Sequence, residues 1–307
     1  MLHLEKGLLG LFDLEKDKIL EILELAKEMK TVVLSGDKKT SHLKGKSVIN
    51  LFYENSTRTR LSFELAAKYM GANAANISAS TSSVAKGETL IDTARTIDMM
   101  GADVLIIRHP FSGSPHLLAK NINAKVVNAG DGLNEHPTQA LLDMFTMLEK
   151  KKSIKGLKVA IIGDIYHSRV ARSNIWGLKK LGADITLFAP STLMPPFIED
   201  VGVRVSKSIT DAVEGADVVM GLRVQLERQK QAFFPSSREY ASLFGLNEKV
   251  LACADKDCLV MHPGPVNRGI EMDSALVDCG KSTIDEQVLN GVAVRMAVLD
   301  LLTRGGE

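Results

Sequence analysis

The sequence predicts an α/β protein of two domains, each a mostly parallel sheet flanked by helices, with interdomain helices linking them. Short apolar runs typical of buried strands alternate along the chain with longer segments of helical periodicity. The length of 307 residues suits two domains of about 150 residues each. A run of lysines within residues 150–156 has the composition of an exposed connection between them.

Composition excludes several classes of function. A hydrophobic content of 45% and a charged content of 24% suit a globular protein with a large core. The net charge of +1 gives no reason to expect nucleic acid or an anionic membrane as a partner. The first 18 residues mix acidic and basic side chains without an apolar core, so neither a signal peptide nor a membrane span is predicted. The three cysteines are not spaced to hold zinc or a disulfide framework, and we expect a cytoplasmic protein.

The stretch at residues 46–63 combines a strand, a hydroxyl-rich turn and a helix. The apolar run 48–52 predicts a buried strand, and the helical spacing begins near Ser56, Thr57, Arg58 and Thr59. The first N–H groups of a helix have no partner within it and lie at the positive end of its dipole, which suits phosphate. An ordinary cap followed by two solvated arginines is the alternative, and the local pattern leaves both open.

Two more predicted strands deliver polar residues to the same region. The apolar run 104–107 leads to Arg108, and the strand at 125–130 leads to a helix with Pro137 in its first turn. Ligands bind at the carboxyl ends of parallel strands, so Arg58 and Arg108 are expected to converge on one anion. A helix N-terminus also disfavours an imidazolium, which favours a neutral ring at His136.

Helices are predicted at residues 17–33 and 89–100, and a surface loop at 76–88. The loop is small, polar and without periodicity. It is either a disordered connection or a means for Lys86 to reach over a cleft, its own or that of a neighbouring subunit.

The second half repeats the alternation of strands and helices. Strands are predicted at residues 157–164, 184–189, 204–205 and 217–222. Arg169 begins the helix after the first of these strands and Arg223 follows the last, and two converging guanidinium groups suit a substrate with carboxylates. The turn after residue 162 has one glycine where a dinucleotide-binding loop needs three, so no NAD site and no other cofactor is predicted.

The final third holds a proline-rich turn and a last helix. Residues 259–261 predict a strand, and the prolines at 262–269 expose backbone carbonyls that can accept hydrogen bonds from an amide or amine. Residues 223–238 hold four basic residues among polar ones, and a solvated loop is one interpretation, which suits Lys230 and Arg238. Residues 284–302 predict an amphipathic helix that docks back on the first domain.

In their order and spacing, these motifs resemble the catalytic chains of the aspartate carbamoyltransferases, within the aspartate/ornithine carbamoyltransferase family. The resemblance covers the whole chain and is carried by residues 56–60, 82–89, 108–110, 136–143, 169, 223–225, 227–228 and 262–268. It implies a carbamoyl-phosphate domain, residues 1–135 with the helix 286–307, and an aspartate domain, residues 136–285. It also implies transfer of the carbamoyl group of carbamoyl phosphate to L-aspartate in pyrimidine synthesis.

The resemblance implies a role for each site residue. Ser56, Thr57, Arg58 and Thr59 would hold the phosphate, and Arg108 would bridge phosphate and carbonyl. The carbamoyl end would meet His136, Gln139 and the backbone at Pro263, Gly264 and Pro265. The aspartate carboxylates would meet Arg169, Arg223 and Gln225. The resemblance further implies a homotrimer in which Ser82 and Lys86 arrive from the adjacent subunit, and it leaves open a regulatory chain or a pathway enzyme as partner.

Two departures from the family pattern concern substrate contacts. Gly264 stands where other members have leucine, but the expected contact comes from the backbone. Val170 stands where some members have threonine, which removes one possible hydroxyl contact.

Two alternative functions remain open. Ornithine carbamoyltransferases share the turn at residues 56–60, but that family has a cysteine in the turn at 262–265, where this chain has none, and Arg223 suits an anion. A non-catalytic anion-binding scaffold subunit would be expected to have lost Arg58, Lys86, Arg108 or His136. The residues predict direct attack of the aspartate amine, with no metal and no covalent intermediate, and His136 as a hydrogen-bond donor rather than a general base.

Overall fold

The structure is a computed structural model that describes residues 4–78, 87–224 and 236–304. The chain divides into two compact units, residues 1–145 with 289–307 and residues 146–288. The division that the family resemblance implies, after residue 135, lies ten residues before the division between residues 145 and 146 in the structure. The sequence pattern shows where the helix at 137–151 begins, but not how far along its length it stays packed with one core.

The first unit is a parallel sheet with strand order β1-β5-β4-β2-β3. Its described strands are Gly7–Leu8 (β1), Ser47–Phe52 (β2), Asn73–Ser78 (β3), Val104–His109 (β4) and Lys125–Asp131 (β5). Its helices are Lys16–Leu34 (α1), Thr57–Tyr69 (α2), Leu90–Met99 (α3) and Ser114–Ala119 (α4). Packing on both faces explains why β2 and β4 are almost continuously apolar.

Three elements of the first unit were not predicted. β1, β3 and α4 are short or lack an apolar pattern. β3 pairs with β2 over six positions, from Ser47 opposite Asn73 to Phe52 opposite Ser78, so the loop predicted at 76–88 is wrong for residues 76–78. β3 is an edge strand with small and polar side chains, several of them exposed, and such strands give little apolar signal.

The second unit repeats the plan with strand order β10-β9-β6-β7-β8, again parallel. Its described strands are Lys158–Ile162 (β6), Asp184–Phe188 (β7), Arg204–Val205 (β8), Val218–Gly221 (β9) and Leu259–Met261 (β10). Its helices are Arg169–Leu181 (α6), Ile209–Val213 (α7), Ser237–Phe244 (α8), Glu248–Leu251 (α9) and Ser274–Val277 (α10), with 3₁₀ turns at Ser191–Leu193 and Ile198–Val201. A loop at residues 223–238 is wrong for its last two residues, which begin α8. Residues 225–235 lie outside the part of the chain that the structure describes.

Two helices cross the division of the chain. Pro137–Lys151 (α5) begins in the first unit and ends in the second, and Ile284–Thr303 (α11) begins in the second and ends in the first. The prediction of two parallel-sheet domains linked by interdomain helices is therefore confirmed.

A search of the described helices, in residues 4–78, 87–224 and 236–304, finds none with the length and apolar character needed to span a bilayer.

Candidate functional site

The strand order of the first sheet places its switch point between β2 and β4, where successive connections leave in opposite directions. Phe52, the last residue of β2, lies opposite Arg108 of β4, and the Tyr53 N–H donates to the Arg108 carbonyl at 2.9 Å. The two strands therefore end side by side. A crevice at the carboxyl ends of such strands is where open α/β sheets bind ligands.

The N-terminus of α2 follows β2 at this switch point. Ser56 occupies the N-cap position, but within the described chain its hydroxyl makes no capping hydrogen bond. Thr57 and Arg58 are exposed, whereas Thr59 is buried. The helix thus presents N–H groups, hydroxyls and a guanidinium to one edge of the sheet, a combination that suits an anion.

Arg108 is held in place by two contacts. Its Nε lies 3.2 Å from a carboxylate oxygen of Glu54, and its Nη1 donates to the Ala129 carbonyl at 3.3 Å. Both charged side chains are mostly buried, so the ion pair fixes the guanidinium better than a surface pair would. The sequence reasoning missed Glu54, although its place in the turn after β2 was a usable signal.

His136 lies directly before α5, as predicted, and is 4% exposed. The preceding loop is anchored by buried carboxylates. Glu135 accepts hydrogen bonds from the N–H groups of Leu11 and Phe12 at 2.7 and 3.1 Å, and Asp131 accepts one from Gly113 N–H at 2.7 Å. These bonds give His136 a defined position at the helix N-terminus.

Gln139 belongs to a buried polar network that the sequence reasoning did not find. Its Nε2 donates to Asp143 at 2.9 Å, one turn further along α5. The buried Arg295 of α11 has an electrostatic interaction with Asp143 and donates to the Ser62 hydroxyl at 2.7 Å. Burial lowers the pKa of Arg295 to about 10, and Asp143 acts in the opposite direction. The network ties the helix carrying Gln139 to α2.

We call this set the first half-site: Ser56, Thr57, Arg58, Thr59, Arg108, His136 and Gln139. All seven belong to the first unit; Arg108 is the penultimate residue of β4, and the other six follow β2 or β5. The sheet register places Phe52, four residues before Ser56, beside Arg108.

In the second sheet the switch point lies between β6 and β9. Arg169 is the first residue of α6, after β6, and is 4% exposed; Arg223 lies two residues beyond β9. Gly163 has a φ of +129°, and a Cβ there would lie 2.7 Å from the Leu222 carbonyl oxygen. A glycine therefore allows the two strand ends to approach closely at the point where both arginines follow.

Two further groups hold the start of α6 and were not predicted. The fully buried Asp164 accepts from the His167 N–H at 3.1 Å and lies 2.9 Å from the His167 Nδ1. Ser168 caps the helix by accepting from the Ala171 N–H at 3.0 Å. The backbone around Arg169 is thus fixed on both sides.

The turn after β10 carries Pro263, Gly264 and Pro265, which are partly buried or exposed. The Gly264 N–H donates to the His262 Nδ1 at 2.8 Å, and Gly264 has a φ of +65°. This φ lies in the left-handed region, which glycine adopts without the strain that a side chain would add. With Arg169 and Arg223, these three residues form what we call the second half-site, all within the second unit.

Three predicted site residues, Ser82, Lys86 and Gln225, lie outside the residues that the structure describes. Within the described residues, no group of three or more His, Cys, Asp or Glu side chains is arranged to hold a metal ion. The described residues place a helix N-terminus and two arginines near the switch point of the first unit, and two arginines at the switch point of the second.

The fold and these residues define an α/β protein with a basic switch point in each of two parallel sheets. Two family models match almost the whole length. The carbamoyl-P binding domain of aspartate/ornithine carbamoyltransferases matches residues 6–149, and the Asp/Orn binding domain matches residues 155–302. The chain belongs to the aspartate/ornithine carbamoyltransferase family.

Relatives with high identity carry one name. A protein of Acetivibrio thermocellus is 66% identical over 304 residues, which is 99% of this chain and 97% of that one. A protein of Ruminiclostridium cellulolyticum is 66% identical over 301 residues, 98% of this chain and 96% of that one. Both are named aspartate carbamoyltransferase catalytic subunit.

Solved structures of both branches of the family share this fold. Aspartate transcarbamoylase of Trypanosoma cruzi, in complex with carbamoyl aspartate and phosphate, is 30% identical with a TM-score of 0.86 and covers 96% of this chain and 95% of its own. Ornithine carbamoyltransferase of Pyrococcus furiosus is 31% identical with a TM-score of 0.87 and covers 99% and 98%. Because the TM-scores and identities of the two structures are nearly the same, the fold alone does not distinguish aspartate from ornithine as the amino acid used.

Proposed function

We propose that the chain transfers the carbamoyl group of carbamoyl phosphate to L-aspartate, giving N-carbamoyl-L-aspartate and phosphate. One observation carries the proposal: basic side chains lie at the switch points of both sheets, Arg58 and Arg108 in one unit and Arg169 and Arg223 in the other. Two anionic substrates repel each other, and binding both beside fixed cations overcomes that repulsion. The names of the relatives at 66% identity support the same reaction.

The first half-site binds carbamoyl phosphate. The N-terminus of α2, with Ser56, Thr57, Arg58 and Thr59, takes the phosphate oxygens. Arg108 lies at the adjacent strand end and bridges phosphate and carbonyl oxygen. Its ion pair with Glu54 prevents the guanidinium from swinging away, so this donor is in place before charge develops.

The carbamoyl carbon is attacked directly by the amine of aspartate. A C–N bond forms, the C–O bond to phosphate breaks, and the departing phosphate accepts the amine proton, so no side-chain base is required. Negative charge develops on the carbonyl oxygen, and Thr59, Arg108 and His136 donate hydrogen bonds to it. His136 acts as a neutral donor because the N-terminus of α5 disfavours an imidazolium.

The second half-site binds the amino acid. Arg169 and Arg223, with Gln225, hold the two carboxylates of L-aspartate, since a guanidinium matches a carboxylate with two parallel hydrogen bonds. The backbone at Pro263, Gly264 and Pro265 accepts hydrogen bonds from the carbamoyl amide. Loss of one carboxylate or addition of a cationic side chain therefore weakens binding.

Ornithine as the acceptor is not favoured. Its cationic side chain would meet Arg223, and like charges repel. The turn at residues 262–265 also lacks the cysteine that the ornithine enzymes have there. A non-catalytic scaffold is not favoured either, because Arg58, Arg108 and His136 are all retained at strand or helix ends.

We further propose a homotrimer in which Ser82 and Lys86 complete the site of a neighbouring subunit. The resemblance of residues 82–89 to the family pattern supports this arrangement. A regulatory chain or a pathway enzyme bound to the trimer is compatible with the same residues.

Substituting Arg58 tests the phosphate assignment. Arg58→Ala removes the exposed guanidinium at the N-terminus of α2, so kcat/KM for carbamoyl transfer should fall by at least about 100-fold. Arg95→Ala is the matched control, because Arg95 is an exposed arginine of α3 whose guanidinium donates to Asn121 at 3.3 Å. A variant at Arg58 with unaltered kcat/KM would remove this residue from the phosphate site.

A further inference from the structure

The buried carboxylate of Glu271 lies between the two chain segments that carry the second half-site. Glu271 is 2% exposed. One carboxylate oxygen, Oε1, accepts from the Asn267 N–H at 2.5 Å, and the other, Oε2, accepts from the Val224 N–H at 3.5 Å. A single side chain therefore holds two backbone segments that are far apart in sequence.

Both segments carry residues of the second half-site: Arg223, assigned to a substrate carboxylate, and the turn assigned to the carbamoyl amide. Val224 directly follows Arg223, and Asn267 comes two residues after the Pro263–Pro265 turn. The Asn267 Nδ2 also donates to the Val224 carbonyl at 3.2 Å. The hydrogen bonds that the carboxylate accepts and the one that the amide donates together close a ring between the two segments.

His262 brings the start of the turn into the same ring. Its Nδ1 accepts from the Gly264 N–H at 2.8 Å, so in the neutral ring the proton lies on Nε2. Nε2 lies 3.4 Å from Glu271 Oε1, and both side chains are buried. The neutral ring that accepts from Gly264 at Nδ1 therefore carries its proton on Nε2, the nitrogen nearer to the Glu271 carboxylate.

A carboxylate without such partners would be costly to bury, and its partners here are groups of the half-site backbone. We propose that Glu271 is a positioning residue that fixes Arg223 relative to the Pro263–Pro265 turn and thereby sets the affinity for the substrate's carboxylates. The proposal rests on the function proposed above, because it assigns that half-site to L-aspartate. Glu271 itself touches backbone and His262 and does not need to contact substrate.

The variant Glu271→Gln tests the proposal. The amide keeps the shape of the side chain but replaces one acceptor oxygen with an NH₂ group, which cannot accept from a backbone N–H. One segment is released, so KM for L-aspartate should rise about tenfold or more. KM for carbamoyl phosphate should rise by a smaller factor, because its phosphate is held by the first half-site. An unchanged KM for L-aspartate would overturn the proposal.

Val213→Ala is the matched control for lost stability. Val213 is fully buried in the core of the same unit, at the end of α7, and belongs to neither segment. It should lower the unfolding temperature without moving KM for L-aspartate. If Glu271→Gln changes KM no more than Val213→Ala does at a similar loss of stability, the role of Glu271 is structural only.

Asn267→Ala provides a second, milder variant in case Glu271→Gln does not fold. It removes the hydrogen bond to Val224 but keeps the Asn267 N–H bonded to the carboxylate, so KM for L-aspartate should rise by a smaller factor. Combining the two substitutions should raise KM by less than the product of the separate effects, because both act on one ring. A fully multiplicative result would contradict the ring.

A readout independent of activity separates this proposal from the proposed function. Hydrogen exchange of the Val224 and Asn267 amides should be slow in the wild-type protein and faster in Glu271→Gln, but not in Val213→Ala at the same protein stability. Unchanged exchange would overturn the positioning role. A wild-type protein that protects these amides but does not carbamoylate L-aspartate would instead contradict the proposed function.

Discussion

His109, next to Arg108, shows how burial sets the charge of a single residue. The ring is 6% exposed, and its Nδ1 accepts from the Phe111 N–H at 3.1 Å. Burial lowers the pKa of His109 below its ordinary value of 6.5, outweighing the carboxylates of Glu54 and Asp131, which act in the opposite direction. The folded protein therefore prefers the neutral ring, which keeps a second cation away from the end of β4.

This preference predicts how stability depends on pH. As pH falls below 6.5, the unfolded chain binds a proton at His109 before the folded chain does, so the free energy of unfolding should decrease. In His109→Gln the decrease between pH 7.5 and 5.5, measured by urea denaturation, should be smaller than in wild type. His116→Gln, on α4, is the control; an equal pH dependence in wild type and His109→Gln would contradict the account.

At the scale of elements, a buried polar network connects the two helices that carry residues of the first half-site. α5 carries Gln139 and Asp143, α2 carries Ser62, and α11 supplies Arg295 between them. The Arg295 guanidinium also lies 5.0 Å from the centre of the Phe63 ring. One buried cation thus interacts with both α2 and α5.

Removing that cation should be costly. Arg295→Met leaves Asp143 buried without its charged neighbour, so the free energy of unfolding should fall by about 3–5 kcal/mol. Arg95→Met, an exposed arginine in the same unit, should have a much smaller effect. Urea denaturation of both variants checks this; equal losses would show that Arg295 does not compensate Asp143.

The sequence pattern predicts elements well where burial is continuous and poorly elsewhere. β2 and β4 each contain a run of mostly apolar side chains, and these runs were enough to predict both strands. Arg58 and Arg108 could then be located by their positions after the two runs. The edge strand β3 gave no apolar signal because none of its side chains is buried, and the six-residue helix α4 is too short to show a helical period. Their pairing depends on tertiary contacts rather than on local composition.

The residues proposed to touch ligand could be named from the sequence, whereas the buried groups that support them could not. Arginines after strands stand out by type and position. Glu54, Asp143, Asp164, Glu271 and Arg295 were missed because a carboxylate or guanidinium in a sequence gives no indication that it is buried or which partner it meets.

At the scale of the whole molecule, each unit has its own sheet, core and switch point, and the proposed reaction needs ligands from both. The resemblance of residues 82–89 adds a requirement for a second subunit. Activity should therefore depend on assembly as well as on the fold of one chain.

Mixing two inactive variants tests shared sites. Arg58→Ala and Lys86→Ala damage the same site from different subunits, so mixed trimers should contain some sites with both residues intact and regain partial activity. Native mass spectrometry confirms that mixed trimers have formed. Mixed trimers without any regained activity would contradict the proposal that Lys86 serves a neighbouring subunit.

The most direct test of the central claim is an assay of carbamoyl transfer from carbamoyl phosphate with L-aspartate or L-ornithine as acceptor at equal concentration. We predict N-carbamoyl-L-aspartate and phosphate in equal amounts, and no carbamoylation of ornithine above the uncatalysed rate. Carbamoylation of ornithine in preference to aspartate, or of neither, would contradict the assignment of Arg169 and Arg223 to the substrate's carboxylates.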